Sequence, residues 1–199
     1  METKKIDDFR GVQESRILDI EHREDFGKLL KEHNLNGVGI EIGVQIGYFS
    51  RILLDTTELK EIVLLDSWQH FENYQDLANH SQKMQDYLYD LVKKRFVGEQ
   101  RIRIIKGDCR TAVNGFEDES FDFIYHDANH TYEFLINQLN AWFPKLKKGG
   151  IMAGHDYFDG EFDRGLFGVK SAVDEFCITN KIELQTTTEK ECKSWWFIK

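Results

Sequence analysis

The feature that most constrains this chain is the stretch Gly37-Val38-Gly39-Ile40-Glu41-Ile42-Gly43-Val44-Gln45-Ile46-Gly47-Tyr48-Phe49-Ser50. It opens as an apolar, β-prone run, turns through glycines after an acid, and continues with the spacing of an amphipathic helix. A strand that feeds a helix through glycines lets backbone approach a ligand. The helix start adds N–H groups that lack intrahelical partners. The spacing Glu41-x-Gly43-x-x-x-Gly47 is neither G-x-G-x-x-G nor a P-loop. An acid just before the first glycine repels a diphosphate and favours a cationic or neutral ligand.

The same strand-then-helix rhythm runs through the rest of the chain. Apolar runs predict strands over 38–42, 61–66, 101–106, 121–126 and 151–154, and a late hairpin over 182–187 and 194–198. Helical spacing falls over 47–56, from about 84 to 96, and over 110–116, 131–143 and 169–176. One or two amphipathic helices are expected over 12–33, carried by Ile17, Leu18, Ile20, Phe26, Leu29 and Leu30. Such alternation implies an α/β fold, a mostly parallel sheet with helices on both faces. The expected division is an N-terminal helical segment over 1–36 and a ligand-binding domain over 37–199.

Composition narrows the function. At 199 residues and a net charge of -9, the chain is sized for a full core and unsuited to generic nucleic-acid binding. No apolar run is long enough to span a bilayer, so no membrane partner is expected. Cys109, Cys177 and Cys192 show neither zinc spacing nor a disulfide framework, which points to a reducing, cytoplasmic setting. A small molecule is the expected acceptor.

Ligands of open α/β sheets bind beyond the carboxyl ends of the strands. Acids stand at each of those ends here: Glu41, Asp66, Asp108, Asp127, and Asp156 beside His155. Asp66 is placed to accept from two ribose hydroxyls, and Asp108 from an adenine amino group. S-adenosylmethionine carries a ribose, an adenine, a sulfonium and an ammonium, and no phosphate. It suits this set better than NAD or ATP. The expected donor-binding residues are Glu41, Gly43, Gly47, Tyr48, Phe49, Ser50, Asp66, Ser67, Trp68, Asp108 and Asp127, with Trp68 packing on the adenosine. Two carboxylates and an imidazole from neighbouring strand ends, Asp127, Asp156 and His155, also make a plausible divalent-metal site.

Three pieces carry a resemblance. They are Glu41 to Gly47, then Asp127-Ala128-Asn129-His130-Thr131-Tyr132-Glu133, then Gly154-His155-Asp156-Tyr157 followed by Gly168-Val169-Lys170-x-Ala172-Val173-Asp174-Glu175-Phe176. In this order the chain resembles the class I S-adenosylmethionine-dependent methyltransferases, in the branch of small-molecule O-methyltransferases acting on sugars and natural products. The resemblance implies a Rossmann-like, seven-stranded sheet whose last strand is antiparallel. It implies that Asp127, His155 and Asp156 hold Mg²⁺ or a similar ion. His155 stands where the related pattern often has Asp, which admits Mn²⁺, Fe²⁺ or Zn²⁺.

Methyl transfer needs an aligned acceptor and a proton acceptor. His130, three residues after Asp127, is the first candidate base and His155 the second, while Asn129 cannot serve. His126 precedes the strand end and is given no chemistry. Residues 67–84, with His70, Phe71 and Tyr74, are expected to line an acceptor pocket. The aromatic, glycine-rich loop over 157–168 would cover it. The N-terminal helices would cover the site or form a homodimer contact. A metal-independent methyltransferase acting on nitrogen, and a non-catalytic S-adenosylmethionine-binding protein, stay open as alternatives. A dehydrogenase is disfavoured by the missing dinucleotide fingerprint and Tyr-x-x-x-Lys pair.

Overall fold

The computed structural model describes residues 20–163 and 165–199. The expected apolar positions Ile17 and Leu18 lie outside the described residues.

Seven strands form one sheet in the order β3-β2-β1-β4-β5-β9-β8. The parallel part comprises β1 (Val38–Ile42), β2 (Glu61–Asp66), β3 (Ile102–Lys106), β4 (Phe121–His126) and β5 (Leu146–Gly154). β8 (Gln185–Thr186) and β9 (Trp195–Ile198) close one edge antiparallel. The expected seven-stranded, mostly parallel, Rossmann-like sheet is present. Strand order reverses between β1 and β4, so the crevice where ligands settle in such folds opens beyond Ile42 and His126.

Period-2 alternation divides the sheet between two cores. Ile62 and Leu64 of β2, with Phe123 and Tyr125 of β4, face one layer. That layer holds α1 (Phe26–Glu32), α2 (Tyr48–Thr56) and α3 (Gln82–Arg95). Val63, Leu65 and Ile124 face the other, with α4 (Cys109–Ala112), α5 (Tyr132–Trp142) and α6 (Val169–Asn180). On β1, Ile40 and Ile42 belong to this second layer, which turns Gly39 and Glu41 towards α1 and α2. At Gly39 a Cβ would stand 2.7 Å from a Leu59 methyl, so a larger residue would make that leucine shift.

The described part of the N-terminal segment belongs to the sheet's own core. Phe26 is fully buried and meets Phe49, Phe123 and Tyr125 with ring centroids 6.5, 5.8 and 5.8 Å away. Burying such a ring contributes about 1.5–3 kcal/mol. Backbone bonds from Thr188 to Ile20 and from Glu189 to Glu21 pin the segment's start. Among the described residues, no helix is long and apolar enough to cross a membrane.

One element departs from expectation. Residues 157–168 are not an open loop but carry a hairpin, β6 (Asp159–Phe162) with β7 (Gly165–Gly168). Its glycines mask strand propensity in the sequence. Ring packing supplies what they lack: Phe167 stacks on Phe158 at 4.8 Å and meets Phe162 edge-on at 5.8 Å. Gly165, at φ +129, lies so close to the Gln75 carbonyl that a Cβ would be 2.0 Å from it. The hairpin is thereby seated on the segment after β2.

Candidate active site

The crevice is shaped first by glycine. Gly43 has φ +96, and a Cβ there would come within 2.1 Å of the Asp127 carbonyl. Only glycine permits that approach between the ends of β1 and β4. Gly47, at φ 71, then starts α2, whose first turn faces the crevice.

Glu41 is buried under this turn and accepts a hydrogen bond from the Ser50 hydroxyl. Burial raises its carboxyl, against the Ser50 hydrogen bond, and with the Asp127 charge adding to the rise it reaches about 8. The Arg23 charge lowers it only in part, so Glu41 holds a proton at neutral pH.

Three expected donor contacts have other partners in the structure. Asp66 was expected to hold the ribose. Its Oδ2 instead accepts from the Val44 and Gln45 N–H groups, both at 2.9 Å, and its Oδ1 from Trp68 N–H at 2.7 Å. Asp66 thus fixes the glycine turn from below. Trp68 is 0% exposed, donates through Nε1 to the Gln45 carbonyl at 2.9 Å and packs on Tyr89. A ring so enclosed props the turn and has no face for an adenosine. Asp108 caps α4 at the Arg110 N–H, 2.9 Å away, and grips the Arg110 guanidinium with both oxygens. Local pairing is favoured there because the two side chains are two residues apart and need no chain closure.

The ends of β4 and β5 bring charged groups together. His130 sits among three carboxylates: Nδ1 is 3.0 Å from Asp76 Oδ2, and Nε2 is 3.3 Å from Asp156 and 3.5 Å from Asp127. Burial opposes a charge on this ring. Hydrogen bonds to Asp127 and Asp76 and the charges of Asp127 and Asp156 outweigh it and lift the imidazole to about 10. Asp156 is buried at φ 53. Burial works against its charge, yet the hydrogen bond and charge of His155 and the charge of His130 hold it down at about 2. Its Oδ1 makes a long, 3.4 Å contact with His155 Nδ1.

Asp127, His130 and Asp156 can each point a ligand atom at one centre, these atoms lying within 4.8 Å of one another. His155, expected as the imidazole of that set, is outside it. Its Nδ1 lies 3.4 Å from Asp156 Oδ1, so it flanks the centre through Asp156. His130 takes the inner place because α5 starts just after it, and the Asn129 side chain fixes that start by accepting from Thr131 N–H at 2.9 Å and Thr131 O–H at 2.7 Å. His126 is buried on β4 beside Trp195, and burial takes its imidazole down to about 3.

Two coverings meet over His130. Phe167 of the hairpin stacks on its ring at 4.7 Å and 17°. Tyr74 donates to Asp76 at 2.9 Å and accepts from the His130 backbone N–H at 3.3 Å. Tyr74 therefore holds the lid to the centre, while His70 and Phe71 line an open cleft beside it. Sequence reasoning missed Asp76, which lies in a polar stretch without periodicity. It also missed Arg23, whose Nη1 donates to Asp127 Oδ2 at 3.2 Å.

Comparison with known proteins follows the same lines. No curated protein matches the chain in sequence. The O-methyltransferase NovP is similar in structure at 15% identity and TM-score 0.63, over 89% of this chain and 77% of NovP. The O-methyltransferase from Bacillus cereus, solved with SAH, gives 13%, 0.60, 89% and 80%. The SAH-bound methyltransferase PaMTH1 of Podospora anserina gives 18%, 0.60, 89% and 78%. At these identities the likeness speaks for the fold. The family model described as "Methyltransferase domain" matches residues 40–157, more than half of the chain, from within β1 through the end of β5. The chain belongs to this methyltransferase-domain family.

Proposed function

We propose that the chain is an S-adenosylmethionine-dependent methyltransferase that methylates a hydroxyl group of a small molecule such as a sugar or natural product, with a divalent metal at the acceptor. The observation that carries this reading is the position of Asp127. Its backbone touches the glycine turn at Gly43, and its carboxylate reaches His130 in the charged centre. One residue thus joins the place for a donor to the place for an acceptor. The family match supports methyl transfer. The SAH-bound relatives support the donor, and the two O-methyltransferases support oxygen as the acceptor atom.

The residues present fit a metal. Asp127 and Asp156 offer oxygens and His130 Nε2, once an ion displaces its proton, a nitrogen, a set that suits Mn²⁺ better than Mg²⁺. The buried Asp156 Oδ1 is met by His155 Nδ1 at 3.4 Å, a long contact that leaves it room to take a ligand role. Asp76 on Nδ1 of His130 supplies the outer carboxylate that commonly orients a ligating histidine. An ion held there would act as a Lewis acid that lowers the pKa of the acceptor hydroxyl.

The chain's own groups do the rest. Asp66 and Trp68 hold the glycine turn, so the donor's path is fixed before binding. Phe167 and Tyr74 shield the centre from water, which strengthens charge interactions inside it. Asp76 fixes the His130 ring through Nδ1 and leaves Nε2 directed at Asp127 and Asp156.

A second reading is a centre that works without metal, with nitrogen as the acceptor atom. The charge balance of His130 among Asp76, Asp127 and Asp156 favours it, since protons alone already neutralise part of the cluster. The deciding experiment incubates the protein with S-adenosylmethionine and a panel of hydroxylated and amino acceptors, and follows methylated product by mass spectrometry. Chelator should abolish O-methylation, and Mg²⁺ or Mn²⁺ should restore it. Full turnover in chelator would select the metal-free centre.

A further inference from the structure

We propose that Arg23 is the residue that binds the α-carboxylate of the methyl donor, and that the segment before β1 is for this reason part of the donor site. The inference rests on the S-adenosylmethionine reading above.

The methionine end of that donor is a zwitterion, with an ammonium and a carboxylate on one carbon. A site for it needs both signs of charge. The acids at the crevice, Glu41 and Asp127, account for the ammonium and leave the carboxylate without a partner. Arg23 supplies the missing charge. It lies in a single 3-10 turn, Arg23–Asp25, directly ahead of α1. Its side chain is only 23% exposed. The guanidinium carbon stands 5.9 Å from the centroid of the Tyr48 ring and 5.7 Å from that of Phe49. Those are the first two residues of α2, immediately after the glycine turn. The charge of Arg23 acts on Glu41, and its Nη1 is 3.2 Å from Asp127 Oδ2. A cation is therefore stationed beside both acids that would receive the ammonium.

Its present bond to Asp127 does not compete with this role. A guanidinium carries five N–H donors in a planar fork matched to a carboxylate; Nη1 donates to Asp127 and a second bond goes to the Tyr125 hydroxyl, which leaves further N–H groups for a ligand. Two aromatic rings hold the plane by cation–π contact, so little side-chain freedom remains to be lost on binding. In the free protein Arg23 offsets the charge of Asp127. With the donor in place, the ammonium takes over that duty and the remaining N–H groups meet the donor's carboxylate. Burial of Phe26 against Phe49 and Tyr125 fixes the segment that carries Arg23.

The test compares ligands that differ in that one carboxylate. Calorimetry on the full chain would use S-adenosylhomocysteine and its decarboxylated analogue, with wild type, Arg23→Gln and Arg23→Lys. Arg23→Gln should weaken S-adenosylhomocysteine by about tenfold or more, the scale of a lost charge-assisted pair. It should leave the decarboxylated ligand unchanged or bound more tightly, because one cation no longer faces another. Arg23→Lys should recover part of the lost affinity. Equal weakening of both ligands, or unaltered S-adenosylhomocysteine binding, overturns the inference. Failure of wild type to bind either ligand would instead overturn the donor reading itself.

Discussion

The glycine turn between β1 and α2 and the charged centre at the ends of β4 and β5 are built in opposite ways. At the turn, backbone groups are the working parts, and side chains hold them: Asp66 takes three N–H groups and Trp68 caps the Gln45 carbonyl. At the centre, side chains are the working parts, and their pairing is incomplete. His130 is shared by three carboxylates, and the buried Asp156 Oδ1 meets His155 in a long, 3.4 Å contact. A finished backbone site binds one shape with little adjustment. A centre with surplus negative charge asks for a cation. Under the proposed function the first region would recognise the donor and the second would activate the acceptor.

Breaking the second region should have the largest effect. Asp127→Asn removes a ligand and the link between the two regions, and turnover is expected to fall roughly 10²–10⁴-fold. Single-turnover assays at saturating donor would show it. Preserved turnover would place acceptor activation elsewhere.

Breaking the first region should act through the backbone. Asp66→Ala leaves the Val44, Gln45 and Trp68 N–H groups without their acceptor, at a cost of about 1–3 kcal/mol. Melting temperature and donor affinity should therefore drop together. A loss of affinity at unchanged melting temperature would return Asp66 to the ribose.

A smaller, pH-dependent effect belongs to Glu41. Its folded-state value, about 8, lies above the ordinary 4.5, so folding favours the protonated form. Its contribution to stability is fully present below about pH 4.5 and is lost as pH rises through about 8. Glu41→Gln should flatten that decline, by up to about 1.4 kcal/mol for each pH unit crossed. Denaturant titrations across this window would detect it; an identical pH dependence in both proteins contradicts a buried, protonated Glu41. The smallest effect is expected at Asp108. Because Arg110 already occupies its carboxylate, Asp108→Asn should change donor affinity less than threefold, about 0.6 kcal/mol or less. A loss of tenfold in calorimetry would put the adenine back on Asp108.

Much of the frame was legible because it depends on local pattern. The apolar run 61–66 and the alternation around 121–126 mark strands, and Asp66 and Asp127 mark two strand ends that do meet the glycine turn. Side-chain partners were less legible. Asp66 and Asp108 stand where a donor-binding acid would stand, but what each carboxylate contacts is decided by the turn folded beneath one and by an arginine two residues from the other. By sequence His155 was expected as the metal ligand and His130 as the base. Only the sheet's register and the start of α5 bring Nε2 of His130 between the two carboxylates. Asp76 comes from a segment with no periodic signal and Arg23 from the polar side of an amphipathic one, both through contacts more than 50 residues apart in sequence.

The central claim is that Asp127, His130 and Asp156 form one metal centre beside the donor crevice. The most direct measurement is Mn²⁺ binding followed by electron paramagnetic resonance on the whole chain. The account predicts a single tight site that is lost in Asp156→Asn and His130→Ala and kept in His155→Ala. Absence of a tight site in wild type, or a site lost in His155→Ala and kept in His130→Ala, would contradict it.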